Sequence, residues 1–158
     1  MAVAAEPKIP TRALIVSEAF GEKLSAERVA TLLAAGISDR RQVDPDLAGH
    51  RSLKLHPQLE PEPCPIASSD DLAGCFARMR SARALIIAVP SLDEATMLGS
   101  TAFELGSEAR QRGVPCFAVT AHNGLPPFDA RILDLQAILQ AASDRALRHA
   151  GRRLAEMI

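Results

Sequence analysis

The clearest structural signal in the chain is the apolar run Ala84–Val89, with the sequence ALIIAV. A continuous apolar run of this length is typical of a strand that is covered on both faces, as strands in parallel sheets are. We expect Pro90 to stop this strand, because proline has no backbone N–H to donate. Two further runs, Ala13–Val16 and Val114–Thr120, have the same character and predict two more strands of the same sheet.

Amphipathic helices are predicted between and after these strands. Ser25 is a good N-cap for the first helix, and Gly36 is placed to end it. A short helical turn is expected near 92–97, and Ser91 and Thr101 each begin a capping-box pattern with a glutamate three residues later. The predicted helices occupy residues 25–36, about 70–79, about 101–111, and the C-terminus from about 143.

The alternation of strands and helices indicates βαβ units. The predicted fold class is therefore α/β, a three-layer Rossmann-like parallel sheet of four to five strands flanked by helices. We expect a flexible N-terminal arm over residues 1–11 and a single Rossmann-like domain over residues 12–158.

The remaining segments are harder to read. Leu53 and Leu55 alternate with polar residues and permit a short edge strand. The prolines that follow predict an extended connection without regular structure. They are Pro57, Pro61, Pro63 and Pro65. A last short strand is expected over 131–135, after a loop that contains Pro126-Pro127.

Composition narrows the classes of function. Hydrophobic residues make up 47% of the chain, which supports a folded core. The formal net charge is -1, and the basic face of a duplex-binding protein is not evident. Aromatic residues are only 3%, which leaves few side chains for base stacking. We therefore expect no nucleic-acid partner.

The expected location is the cytoplasm. The chain has no apolar run long enough to span a bilayer, so no membrane partner is expected, and residues 1–10 do not resemble a secretory signal. Its three cysteines, Cys64, Cys75 and Cys116, form no paired motif. We expect three reduced thiols rather than a disulfide or a zinc site.

Ligands of open parallel sheets bind outside the carboxyl ends of the strands. Three loops follow the predicted strands there, at residues 17–24, 90–100 and 121–128. Asp93 and Glu94 are carboxylates of these loops that could hold Mg²⁺ or polarise a substrate hydroxyl, and Glu94 is also expected to complete the capping box of Ser91, which leaves Asp93 as the better candidate. Glu18 directly follows the first strand at the expected cleft, although a solvated loop carboxylate is an equally plausible interpretation of it.

The segment Gly99-Ser100-Thr101 opens a helix after a loop, and its free backbone N–H groups could bind a phosphate or carboxylate. The alternative interpretation is an ordinary N-cap with a glycine hinge. His122 follows the Val114–Thr120 strand and could titrate near neutral pH, although an ordinary surface histidine is the preferred interpretation.

Two segments together resemble the glycerate kinase family, which phosphorylates D-glycerate with ATP. The first is Ile15–Ala30, with the sequence IVSEAFGEKLSAERVA, where the family has a strand, the motif Pro-Asp-Ser-Phe-Lys-Gly-Ser-Leu-Ser-Ala and a helix. The second is Leu85–Thr120. It contains, in this order, Ser-Leu-Asp, Thr, Gly and Gly-Val-Pro. At the corresponding positions the family has Gly-Arg-Leu-Asp, Thr, Gly-Lys and Gly-Val-Pro. The resemblance covers about half of the chain.

The resemblance implies roles for particular residues. Those implied as catalytic are Glu18 and Asp93, with Asp93 also a metal ligand. Those implied to bind the cofactors ATP and Mg²⁺ are Gly99, Ser100 and Thr101. Ser17 and Phe20, within the first segment, are implied to bind substrate, and His122 and Asn123, which follow the Val114–Thr120 strand, are further candidate substrate contacts.

The chain also departs from the family. Gly21 and Ser100 stand where the family has lysines, and the chain lacks the length of the family's inserted second domain. Phosphoryl transfer needs positioned cations, so a non-catalytic domain that binds a small anion, such as glycerate or a nucleotide phosphate, or another protein is the alternative prediction. A homo-oligomer or a partner chain is left open, and an unrelated flavodoxin-like domain is the third interpretation.

Overall fold

The computed structural model describes residues 10–39 and 59–158. Its strands form a single five-stranded sheet in the order β2-β1-β3-β4-β5, and every neighbouring pair is parallel. The strands are β1 (Arg12–Ser17), β2 (Glu60–Pro65), β3 (Ala82–Leu92), β4 (Cys116–Asn123) and β5 (Leu135–Gln140). The α-helices of the described ranges are α1 (Ala26–Asp39), α2 (Ser69–Met79), α3 (Thr101–Arg112), α4 (Pro127–Ile132) and α5 (Asp144–Met157).

Both faces of the sheet are covered, which confirms the predicted three-layer α/β fold. Alternate side chains of the central strands enter two separate cores, as the period of a strand requires. Ile15 and Ile86 belong to the core under α1 and α5. Leu14 and Leu85 belong to the core under α2 and α3. The strand order is that of flavodoxin-like doubly wound sheets, and it places the reversal of strand order between β1 and β3.

The proline-rich segment is a strand, so the prediction of an irregular connection over Pro61, Pro63 and Pro65 is wrong. The backbone N–H of Glu60 donates to the carbonyl of Thr11, just before β1, and that of Ile66 to the carbonyl of Ser17 at the end of β1, at 2.8 Å in both cases. Because successive N–H groups of a strand point to opposite sides, the prolines occupy the positions that face away from β1. β2 lies at the edge of the sheet, where a missing outward donor costs nothing.

Pro90 does not end its strand, contrary to the prediction. The N–H of Leu85 donates to Pro115 of the β4 side at 2.9 Å, so even-numbered positions of β3 face β1. β1 ends at Ser17, and Pro90 lies beyond that end, so its missing N–H leaves no acceptor unpaired. β3 therefore continues to Leu92 against β4.

Several predicted boundaries need correction. The first helix runs past Gly36, because this glycine is at the contact with α5 rather than at a terminus. The segment 126–132 forms helix α4 and not a loop, and the last strand follows at 135–140 instead of 131–135. Proline is favoured in the first turn of a helix, which explains why a Pro-Pro pair can precede one. The positions Leu53, Leu55, Pro57 and most of the N-terminal arm lie outside the described residues.

Two of the cysteines form a disulfide between Cys64 of β2 and Cys75 of α2, which overturns the expectation of three reduced thiols. The two residues are 11 positions apart in sequence and their Cα atoms are 6.3 Å apart. The two cysteines form no recognisable sequence motif, because the bond depends on β2, a strand that its prolines made unpredictable. Cys116 is a free, buried thiol.

Within the described ranges, no helix is long and apolar enough to cross a membrane.

Candidate functional site

A groove of about 270 Å³ opens at the carboxyl end of the sheet, between β1 and β3. This is the position at which doubly wound sheets bind ligands, because the helices that follow the two strands diverge to opposite faces. The groove is lined by Glu18, Val89, Pro90, Ser91, Asp93, Ala95, Thr96, Ser100, Thr101 and Ala102. It therefore brings together the end of β1, the end of β3 and the beginning of α3.

Glu18 is held at the groove by the hydrogen bonds on both sides of the β1 terminus. Its backbone N–H donates to the carbonyl of Ala88 at 2.9 Å. The preceding residue, Ser17, is fully buried, and its Oγ donates to the carbonyl of Ala26 at 2.7 Å. The side chain of Glu18 is half-buried. The backbone that carries it is anchored both to β3 and to the start of α1.

Asp93 begins the short 3₁₀ turn Glu94–Leu98 and is fixed through its backbone. The Asp93 N–H donates to Thr96 Oγ1 at 3.0 Å, and the Thr96 N–H donates back to the Asp93 carbonyl at 3.0 Å. This pairing corrects the predicted capping box of Ser91 and Glu94, because β3 extends through Ser91 and the cap falls two residues later. The Asp93 carboxylate is exposed at the groove.

Helix α3 points its N-terminus at the groove. Ser100 is the N-cap, and its Oγ accepts from the Phe103 N–H at 3.2 Å while donating to the Thr96 carbonyl at 2.8 Å. The predicted capping box at Thr101 is therefore one residue late. The N–H groups of Thr101 and Ala102 belong to the first turn, where helix geometry provides no intrahelical acceptor for them. Both residues line the groove.

Gly99 shapes the turn into α3. Its φ of 102° lies in the left-handed region, which closes the 3₁₀ turn and which glycine adopts without steric cost. Gly99 is absent from the groove lining, so its contribution is to the direction in which α3 begins.

The remaining sequence-predicted site residues lie elsewhere. Ser17 is engaged with Ala26 as described, and Phe20 is buried in the core under α1 and α5. His122 and Asn123 end β4 beside Ser91 and Leu92, and their side chains are exposed outside the groove. Asn123 Oδ1 accepts from the Leu125 N–H at 3.3 Å. The four candidate ligand contacts at these positions stay predictions.

Thr96 and Ser91 are polar groove residues that were not predicted as site residues, and Thr96 is the one that shapes the groove. It is buried, and its hydroxyl accepts the Asp93 N–H. A threonine three residues after an aspartate is a weak signal, since its meaning depends on where the strand ends. The continuation of β3 past Pro90 hid that boundary.

The groove combines two carboxylates with the positive end of a helix. Among the described residues that line it, no side chain is basic. Among residues 10–39 and 59–158, no group of three histidine, cysteine or carboxylate side chains is placed to bind a metal ion. Mg²⁺ usually binds through one or two carboxylates together with waters and substrate phosphates. Because the described lining offers no cation for those phosphates, the described residues do not fit an ATP–Mg²⁺ complex.

Comparisons with known protein families, with functionally characterised proteins and with solved structures found no match to this chain. The interpretation of the groove therefore depends on its own geometry and on the resemblance of its loop sequences.

Proposed function

We propose that this chain is a glycerate kinase-like domain that binds a small hydroxy acid, with D-glycerate as the representative, in the groove between β1 and β3. The observation that carries the proposal is the convergence of Glu18, Asp93 and the start of α3 on one groove. These are the positions that the resemblance to glycerate kinases singles out from separate parts of the sequence.

The start of α3 is the proposed site of the ligand carboxylate. The N–H groups of Thr101 and Ala102 and the positive end of a 12-residue helix favour an anion there. Ser100 does not compete for these donors, because its Oγ already accepts from Phe103. A carboxylate is small enough to use two adjacent N–H groups, and the lack of a basic side chain in the described lining favours it over a polyphosphate.

The carboxylates of Glu18 and Asp93 are the proposed acceptors for the hydroxyl groups. An ionised carboxylate accepts hydrogen bonds but donates none, so it selects a hydroxyl and disfavours a second anion at that end of the groove. Hydrogen bonds to charged groups contribute about 1.5–3 kcal/mol each. The groove thus distinguishes a hydroxy acid from the corresponding acid without hydroxyl groups.

Phosphoryl transfer from ATP to the bound acid is the second candidate function. Asp93 supports phosphoryl transfer, because it matches the aspartate of the family pattern and lines the groove. The missing cations oppose it, because loss of one stabilising donor of the transition state costs about 2.7–4 kcal/mol, or 10²–10³-fold in rate. Binding without appreciable turnover is therefore the preferred form of the proposal.

Calorimetric titration with D-glycerate and with propionate tests the proposal. Purified chain should bind D-glycerate at least about tenfold more tightly than propionate, since one charge-assisted hydrogen bond contributes that much. Glu18→Gln and Asp93→Asn should each remove most of this preference. Glu22→Gln and Glu94→Gln are the matched controls, because both carboxylates are exposed neighbours that do not line the groove.

Equal affinity for the two acids, or equal losses in the site and control variants, would contradict the proposal. Incubation with ATP, Mg²⁺ and D-glycerate separates the two candidates. Phosphoglycerate above a heat-inactivated control would favour the kinase, whereas binding without product favours the non-catalytic domain.

The cellular location also stays at the level of a proposal. The cysteine pattern of the sequence favoured the cytoplasm, but disulfides are rare there. The bond between Cys64 and Cys75 favours an oxidising compartment instead.

The flavodoxin-like interpretation agrees with the strand order of the sheet. However, no aromatic side chain lines the groove, so a flavin would lack a stacking partner.

A further inference from the structure

The exposed face of α5 concentrates positive charge to a degree that the net charge of the chain conceals. The nine residues Arg145–Arg153 contain four arginines, one histidine and no carboxylate, whereas the whole chain has a formal net charge of -1. All five of these side chains are exposed. We call this surface the arginine face. Its members are Arg145, Arg148, His149, Arg152 and Arg153.

The arginine face is one continuous stripe. Its members are spaced by one, three or four residues, which places them on the same side of a helix. The opposite side of α5 is buried against the sheet and α1 through Leu147, Ala150 and Leu154. Over eight residue steps the stripe extends about 12 Å along the helix axis, at 1.5 Å per residue.

Most of this charge has no internal compensation. Arg152 pairs with Asp39 of α1, with 3.1 Å between Nη2 and Oδ2. Arg145, Arg148 and Arg153 form no ion pair within the described part of the chain. Like charges at these helical spacings repel one another, so the stripe weakens the helix that carries it. A surface of this kind is favourable when an external polyanion neutralises it.

We propose that the arginine face binds the phosphate backbone of duplex nucleic acid. Guanidinium groups match phosphate oxygens through two parallel hydrogen bonds, which favours arginine for this contact. The stripe is one helix wide, and the carboxylates that border it are already paired, Asp39 with Arg152 and Asp144 with Arg28. A linear polyanion can follow such a narrow stripe along its length, whereas a flat membrane surface extends beyond it on both sides.

The absence of Phe, Tyr and Trp from α5 agrees with the choice of a duplex backbone. The chain has no Trp or Tyr, so α5 offers no platform for unpaired bases. Contacts to phosphates alone position a protein without reading sequence. The expected binding is therefore independent of sequence and strongly dependent on salt. It departs from the expectation of no nucleic-acid partner, which rested on the net charge of the whole chain.

Fluorescence anisotropy with a labelled 20-base-pair duplex tests this inference on the full chain. At 50 mM salt we expect saturable binding whose affinity falls with salt at a log–log slope of about -3, the value for three to four neutralised phosphates. The triple variant Arg145→Gln, Arg148→Gln, Arg153→Gln should lose at least about tenfold in affinity. Thermal unfolding of this variant should be unchanged or slightly higher, because like-charge repulsion is removed.

The control is a second triple variant, Lys23→Gln, Arg80→Gln, Arg131→Gln, which changes the net charge by the same amount at exposed positions away from α5. It should retain the affinity for the duplex. Equal losses in the two triple variants, or no binding of the parent chain at 50 mM salt, would overturn the proposal. Tighter binding to anionic phospholipid vesicles or to polyglutamate than to the duplex would also overturn it.

Discussion

The two helical layers that cover the sheet are held in place by different means. On one side, α1 and α5 approach so closely that a Cβ atom on Gly36 would lie 2.1 Å from the Arg148 carbonyl oxygen. A Cβ atom on Gly151 would lie 2.3 Å from the Leu33 carbonyl oxygen. On the other side, α2 fully buries only Cys75 and Met79 of its own residues, and a disulfide links it to the edge strand β2.

The two layers should therefore tolerate amino-acid substitutions differently. The α1–α5 layer depends on shape, because backbone meets backbone and no side chain can move aside. The layer on the opposite face depends at α2 on a covalent link. The groove lies between the two layers, since Glu18 precedes α1 and Ser100 caps α3. Substitutions that loosen either layer can therefore be compared with substitutions in the groove itself.

The largest effect is expected from breaking the glycine contact. Gly36→Ala should destabilise the protein by about 3 kcal/mol, because the new methyl group meets backbone atoms of α5 that can move only with the whole helix. Gly74→Ala is the matched control in α2, where an added Cβ has no neighbour within 4 Å. It should stabilise by about 0.5–1 kcal/mol through helix propensity. Chemical denaturation measures both, and a Gly36→Ala variant as stable as the parent would refute the close packing.

The second-largest effect is expected from removing the disulfide in the layer that contains α2. Replacing both Cys64 and Cys75 by alanine should cost about 2–3 kcal/mol, the range for closing a loop of this length. Reductant should lower the melting temperature of the parent chain toward that of the double variant and leave the double variant unchanged. If reductant has no effect on the parent, the disulfide does not form in solution.

Thiol titration provides a second test of the disulfide between Cys64 and Cys75. Burial raises the pKa of the Cys116 thiol to about 12, with the nearby Asp134 adding to the shift. This thiol stays protonated and inaccessible at neutral pH in the folded chain. We expect no reactive thiol in the native protein, one after unfolding, and three after unfolding with reductant. Three thiols after unfolding without reductant would restore the expectation of reduced cysteines.

A smaller effect distinguishes a cap at the groove from the same cap elsewhere. Ser100 and Ser143 cap α3 and α5 alike, each Oγ accepting a backbone N–H at 3.2 Å. Ser100→Ala and Ser143→Ala should each cost about 1 kcal/mol of stability. Only Ser100→Ala should weaken D-glycerate binding, because Ser100 lines the groove. Equal effects of the two changes on binding would mean that the groove responds to general stability alone.

The smallest expected effect is a pH dependence at the start of α2. The Asp71 carboxylate accepts from the N–H groups of Ala67 and Ser68, and these hydrogen bonds lower its pKa below the usual 3.8. A lowered folded-state pKa contributes stability above the unfolded-state value that is lost as pH falls through the folded-state value. Asp71→Asn should therefore lower the melting temperature at pH 7, and its difference from the parent should shrink below about pH 4. Asp70→Asn, at an exposed neighbouring position, should not reproduce this convergence.

The central strands were predictable because their signal is local and strong. The run Ala84–Val89 is apolar on both faces, and few structures other than a covered strand accommodate it. The edge strand Glu60–Pro65 was not predictable in this way. Proline removes a donor wherever it occurs, and whether that matters depends on which neighbour the donor would have met. The sequence does not contain that neighbour's position.

The groove shows the same division. Glu18, Asp93 and the Ser100 helix start were predicted, because each follows or precedes a strong element. Thr96 was missed because its partner depends on where β3 ends. Ser17 and Phe20 were predicted to meet substrate, but both side chains are buried. A residue next to a strand end can face either the cleft or the core, and only the three-dimensional path of the loop decides which.

Backbone amide shifts in a ¹H–¹⁵N titration with D-glycerate test the central claim most directly. The account predicts that the largest shifts cluster at Glu18, Asp93 and residues 100–102, and that Glu18→Gln makes them clearly smaller at the same ligand concentration. Shifts spread evenly over the surface, or centred on the opposite, amino-terminal edge of the sheet, would show that the groove between β1 and β3 is not the binding site.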